Sequence, residues 1–98
     1  MNELIITKPD DMHLHLREGE MLKAVIHHTA NQFSRAIVMP NLSDPITTSD
    51  KAQNYFDQIK SFCPNFSPLM TIYFSDQLNS EELIKIRDSS IIFGIKLY

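Results

Sequence analysis

Between Asp10 and Arg17 the chain reads Asp-Asp-Met-His-Leu-His-Leu-Arg, and four side chains able to do chemistry, Asp11, His13, His15 and Arg17, recur there at two-residue spacing. In a β-strand alternate side chains share a face, so these four are expected to point one way and Met12, Leu14 and Leu16 the other. Two neutral imidazoles on neighbouring positions of one face can hold a single divalent transition metal, zinc being the usual choice for nitrogen-rich sites. The plainer reading is a half-exposed strand whose histidines and arginine are merely solvated. These eight residues alone leave both open.

The elements that must position this stretch follow from hydrophobic periodicity. Leu4 to Thr7 is a short apolar lead-in ended by Pro9, and Met12 to Leu16 is a strand that Glu18-Gly19 breaks. Leu22, Val25, Ile26, Thr29 and Phe33 recur at helical spacing, which predicts an amphipathic helix over Glu20 to Gln32 with Lys23, His27 and Asn31 toward water. His27 and His28 are read as bystanders on its solvent face rather than as ligands. Arg35 to Met39 is a nearly unbroken apolar run, the signature of a strand buried on both faces, and Pro40-Asn41 closes it. A polar loop over Asn41 to Thr48 leads to a second helix capped by Thr48, Ser49 or Asp50, with Ala52, Tyr55, Phe56, Ile59, Phe62 and Cys63 on its apolar side and Pro64 at its end. Pro68 to Phe74 is a third strand, and Asn79 or Ser80 caps a short, weaker third helix through Leu83, Ile84 and Ile86. Ile91 to Tyr98 is the fourth strand.

Strand and helix therefore alternate throughout, which implies an α/β fold with a parallel sheet and right-handed crossovers. Four strands and three helices make about half of a (β/α)₈ barrel, whose usual size is ~250 residues. The fourth strand has no helix after it, and a half barrel leaves a parallel edge open, which natural proteins seldom tolerate. Residues 1–98 are accordingly expected to be the N-terminal part of an incomplete barrel domain, with the remainder of the barrel supplied by a longer chain or a separate one. In isolation such a chain should be poorly soluble or partly folded. The competing reading is a small, complete four-stranded α/β domain.

Composition narrows the function classes. The 98 residues are 43% hydrophobic and 21% charged with a formal net charge of −3, which suits one small globular domain. Basic residues are scattered, which argues against nucleic acid as a partner. No apolar run approaches the ~20 residues that span a bilayer and the N-terminus lacks a signal-peptide pattern, so no membrane role is expected. One cysteine, Cys63, excludes an internal disulfide and cysteine-based zinc sites, and a reducing cytoplasm is the simplest compartment.

In barrels and open α/β sheets function gathers at the C-terminal strand ends. The residues placed there are His13, His15 and Arg17, then Asn41, Asp76 and Lys96. Lys96 is the unusual member. It shares a strand face with Gly94 and Tyr98, opposite Phe93, Ile95 and Leu97, and an ammonium group facing a barrel interior is costly unless paired or chemically altered. Beside a metal, a deprotonated lysine amine can take up carbon dioxide as a carbamate with two oxygen donors. The alternative is a strand-end lysine snorkelling to solvent.

The Asp-Met-His-Leu-His-Leu-Arg stretch resembles the first-strand metal motif of the amidohydrolase superfamily. Arg35 to Thr48, read as Arg-Ala-Ile-Val-Met-Pro-Asn-Leu-Ser-Asp-Pro-Ile-Thr-Thr, resembles the dihydroorotase family of short bacterial type, and Pro-Leu-Met-Thr-Ile-Tyr at 68 to 73 and Gly-Ile-Lys-Leu-Tyr at 94 to 98 fit the same family. Histidine alternation is shared with many hydrolases; the Met-Pro-Asn loop and the lysine-tyrosine strand are the discriminating parts. The resemblance implies a TIM-like barrel with two Zn(2+) ions that interconverts the small molecules N-carbamoyl-L-aspartate and L-dihydroorotate in pyrimidine biosynthesis, using a metal-activated water. It further implies that His13 and His15 bind the more buried zinc, that carboxylated Lys96 bridges both metals, and that Arg17 and Asn41 hold the substrate carboxylate. Asp11 would support a histidine or the strand end. Two further histidines and an acid/base aspartate would lie downstream, so the 98 residues alone would be inactive. A homodimer is compatible with this reading. A hydantoinase-like or dihydropyrimidinase-like cyclic amidohydrolase, or a non-catalytic fragment completing another chain's barrel, are the alternatives.

Overall fold

The structure, a computed structural model, describes residues 2–97. Strands β1 (Asp10–Leu14), β2 (Arg35–Val38), β3 (Ser67–Tyr73) and β4 (Ile92–Lys96) alternate with helices α1 (Gly19–Gln32), α2 (Ser49–Phe62) and α3 (Ser80–Asp88). They form one sheet in the order β1-β2-β3-β4, with each neighbouring pair parallel. The expected alternation is observed. Tyr98, expected within the last strand, lies outside the described residues.

Local chemistry sets the boundaries. Gly19 opens α1 at φ 59°, a backbone region that glycine enters cheaply, which lets the chain reverse from β1 into the helix. Of the three candidate caps for α2, Thr48 does the work: its side chain accepts the Lys51 N–H at 3.2 Å. Asn79 caps α3 in the same way through the Glu82 N–H at 2.9 Å. Helix α3 buries no residue fully, in keeping with its weak apolar pattern. It is tied to the start of α2 by Glu82, whose carboxylate accepts the Ser49 N–H, a bond that holds the carboxyl below its usual range.

The core lies on one face of the sheet, where Ala36, Val38, Met70 and Ile72 pack against Leu22 and Ile26 of α1 and Ala52, Tyr55 and Ile59 of α2. By alternation the opposite face carries His13, His15, Met39, Thr71, Gly94 and Lys96.

Two register irregularities change the expected faces. Asp11 pairs with Ala36 and Leu14 with Val38, so β1 uses three steps where β2 uses two. Asp11 is thereby aligned with a residue of the helix-covered face and falls out of step with His13 and His15, which corrects the expectation that all four polar side chains share one face. Leu14 and Leu16 do face the core, but Met12, in the irregular stretch of an edge strand, is 58% exposed rather than packed behind it. On β4, Ile92 pairs with Met70 and Gly94 with Thr71, leaving Phe93 as an extra residue. Ile95 lies opposite Ile72 and Lys96 opposite Tyr73, so Gly94 and Lys96 do share a face, whereas Phe93 does not alternate simply with Ile95.

Ile59 is wholly buried, so Ile59→Ala in a protein carrying this sequence should lower unfolding free energy by about 2–5 kcal/mol and Thr48→Ala by about 1 kcal/mol, measured by urea titration. Phe93 and Leu97 are 64% and 74% exposed at the β4 edge; the isolated 98-residue chain should self-associate at micromolar concentration in light scattering, and a monodisperse monomer would contradict this.

Candidate metal centre and adjoining cleft

Leu16, 2% exposed, anchors the chain just beyond β1 in the core, and the alternation around it turns His15 toward the opposite face. The Met39 N–H donates to the Leu14 carbonyl at 2.8 Å, extending the attachment to β2 beyond the end of the regular strand. Here the two histidines meet. Their Nε2 atoms are 3.0 Å apart, with ring centroids 5.0 Å apart and planes inclined by 54°. At ~2.0–2.1 Å per zinc–nitrogen bond, nitrogens 3.0 Å apart fit a single ion at an N–Zn–N angle of about 94°. Asp11 accepts the His13 backbone N–H at 3.0 Å, a local bond within β1 to the peptide and not to either ring.

Metal binding needs neutral imidazole. Partial withdrawal of His15 from water lowers its pKa, and the positive charges of His13, Lys96 and Arg17 add to the effect. Lys96, although on the far edge strand, is thus close enough for its charge to act on His15. Lys96 is half-buried and its Nζ lies 3.3 Å from the Met39 Sδ. Among the described residues no three or more of His, Cys, Asp and Glu cluster as a metal site. The local donor set is thus two imidazoles, with a lysine on the same face that would become an oxygen donor only on carboxylation. That set fits part of a metal's coordination.

Arg17 and Asn41 line one small cleft of about 120 Å³, with Glu18, Met21, Leu42 and Ser43. Asn41 Oδ1 is buried without a hydrogen-bond partner, an uncommon and costly state that an incoming N–H donor would relieve. The loop carrying Asn41 is closed on itself and tied to the end of β3. The Pro40 carbonyl accepts N–H bonds from Leu42 and Ile46, both at 3.1 Å, and the Ile46 carbonyl accepts the Tyr73 N–H at 2.7 Å. Thr47 Oγ1 bonds Gln77 Oε1 at 2.8 Å.

Other candidates stand apart. His27 and His28 are exposed on α1, as expected, though His27 Nδ1 also lies 3.4 Å from the Sγ of buried Cys63, in a separate, open cleft. Asp76 is exposed beyond β3 and joins neither group. Two contributors were illegible in the sequence. Met39 reads only as part of an apolar strand, and Tyr55 only as an apolar position of α2, yet the Tyr55 hydroxyl lies 2.9 Å from both the Leu16 and Arg17 carbonyls. In metal-free protein the His15 ring should titrate below 6.5 by NMR; because its folded pKa is depressed, it favours unfolding as pH falls through that value. A midpoint above 6.5 would contradict the geometry.

No family model matches the chain. Curated relatives do. The chain is 50% identical over its whole length to "Dihydroorotase, mitochondrial" of Oryza sativa subsp. japonica, spanning 25% of that protein. It is 47% identical over 99% of its length to a dihydroorotase of Delftia acidovorans, of which it spans 29%. Among solved structures, dihydroorotase from Campylobacter jejuni matches 93% of the chain with a TM-score of 0.82 at 39% identity, the chain covering 27% of it. Dihydroorotase from Saccharomyces cerevisiae, in complex with 5-fluoroorotic acid, matches 92% of the chain with a TM-score of 0.86 at 34% identity, the chain covering 25%. The chain thus spans a quarter to three-tenths of the relatives it matches, corresponds to their N-terminal part, and has the parallel α/β arrangement of the first half of the two solved folds.

Proposed function

We propose that the protein containing this chain is a zinc-dependent dihydroorotase, which reversibly opens the ring of L-dihydroorotate to N-carbamoyl-L-aspartate in pyrimidine synthesis. The observation that carries the reading is the match along the whole chain, at 47–50% identity, to proteins bearing that name. In the complete protein the four-stranded sheet closes into a (β/α)₈ barrel with later strands. A cytoplasmic location belongs to the same reading, supported by the single buried cysteine.

Within the chain, His13 and His15 would hold the more buried of two zinc ions, a role supported by their 3.0 Å separation. Lys96 would bridge the two ions as its carbamate. A zinc pair supplies a Lewis acid for the ring carbonyl and a water acidic enough to attack it near neutral pH. Arg17 offers a planar, permanently charged fork to the substrate carboxylate, and Asn41 offers an amide N–H beside it and an unmet acceptor for a ring N–H. The proton that must reach the leaving nitrogen would come from an aspartate outside this chain.

Zinc analysis and dihydroorotate hydrolysis by the full-length protein test the assignment: about two zinc ions and turnover in both directions are expected, and a zinc-loaded protein inactive on both substrates sinks it. Arg17→Met should cut kcat/KM by about 10- to 100-fold, the worth of a hydrogen bond to a charged group; full activity would favour a ring substrate without a carboxylate. Lys96→Ala should lose bridging metal and regain it with a small added carboxylic acid, and unaltered metal content would defeat the carbamate.

A further inference from the structure

The segment leaving β1 has to present Arg17 at a defined place, yet Arg17 lies beyond the strand and is exposed. Its backbone is secured by a remote side chain. Tyr55, 38 residues after Arg17 on α2 and 3% exposed, directs its hydroxyl to the Leu16 carbonyl at 2.9 Å and to the Arg17 carbonyl at 2.9 Å. One phenolic hydrogen shared between two acceptors makes a three-centre bond, and both carbonyls sit where the strand ladder has ended and no backbone donor from β2 reaches them. The ring of Tyr55 is locked in the core with Leu22, Ile59 and Leu16. The hydroxyl is therefore a fixed post against which the peptide carrying Arg17 is set. The Asn41 side of the cleft has its own ties through Pro40 and Ile46, and none of them reaches Arg17.

We infer that Tyr55 is a positioning residue for anion binding: by holding the Leu16 and Arg17 carbonyls it aims the Arg17 guanidinium across the cleft toward Asn41. This rests on the reading of Arg17 as the carboxylate-holding group of a dihydroorotase. Tyr55 touches no substrate, and its hydroxyl acts only through Arg17. The effect should appear in binding of carboxylate-bearing ligands and hardly in the metal site, because His13 and His15 precede the clamped carbonyls and are held by the Asp11 bond and by the core packing of the Leu14 and Leu16 side chains, which Tyr55→Phe leaves in place.

The test uses the full-length zinc-loaded protein with variants Tyr55→Phe, Arg17→Met and the double variant. Phenylalanine keeps the ring that fills the core and deletes only the hydroxyl. Tyr55→Phe should raise the Kd of 5-fluoroorotic acid and the KM for dihydroorotate about tenfold, with zinc content unchanged and kcat within about twofold. Once Arg17 is methionine, removing the Tyr55 hydroxyl should weaken the ligand no further, since residues acting through one interaction are non-additive. Additive losses, an unchanged Kd in Tyr55→Phe, or an equal fall in kcat would overturn the inference while leaving the dihydroorotase reading intact. A Tyr55→Phe protein that does not fold would overturn it too, because the hydroxyl would then hold the fold and not the arginine. A parent protein that neither binds 5-fluoroorotic acid nor turns over dihydroorotate would refute the underlying function and the inference with it.

Discussion

Burial of Leu16 in the core, with partly buried Leu14 packed beside it, is the constraint on which the candidate site depends. Two leucines on alternate positions cannot both enter the core unless the residues between and before them turn the other way. That places His13 and His15 together on the open face and brings their Nε2 atoms to 3.0 Å. A fully buried leucine such as Leu16 contributes roughly 1.5–3 kcal/mol and partly buried Leu14 less, so a one-residue slip that exchanged leucines for histidines would cost more than a typical neutral hydrogen bond nearby, worth about 0.5–1.5 kcal/mol. The imidazole pair is therefore oriented by hydrophobic burial behind it, and its own polar interactions are too weak to choose the face.

The parallel sheet supplies the second requirement, which is to bring a residue from far along the chain to the same face. Regular pairing of β2 with β3, and of β3 with β4 beyond the extra residue at Phe93, puts Gly94 opposite Thr71 and Lys96 opposite Tyr73. Gly94 leaves room on that face; a Cβ there would meet the Thr71 methyl group at 3.8 Å, an ordinary contact. Lys96 is then near enough to influence His15, although β1 and β4 are the two edges of the sheet. The exposed apolar residues at those edges follow from the same geometry, since each outer strand has a neighbour on one side only among the described residues.

Polar chemistry then refines what burial has roughly placed. Asp11 fixes the His13 peptide, Tyr55 the Leu16 and Arg17 carbonyls, and the Tyr73 N–H the loop that carries Asn41. These bonds come from three different elements and converge on the C-terminal strand ends. The buried, unsatisfied Asn41 oxygen is the exception, and it sits in the cleft where a ligand would be held.

The order of strands and helices, the helix caps at Thr48 and Asn79, and the alternating histidines were legible in the sequence, because each arises from interactions within a few residues: periodicity, capping and turn chemistry. The Met-Pro-Asn loop and the Gly-Ile-Lys-Leu stretch were equally readable as motifs. What the sequence could not contain was register. The extra residues near Met12 and at Phe93 are decided by how one strand's hydrogen bonds meet its neighbour's; the first took Asp11 off the histidine face and left Met12 exposed, and the second broke the simple alternation of Phe93 with Ile95. Tyr55 illustrates the same division: its spacing announced a core position, which it occupies, but the reach of its hydroxyl to a peptide 39 residues earlier exists only once α2 has packed against the end of β1. Local sequence settled which residues could do chemistry, and tertiary contacts between distant strands and helices settled which of them meet.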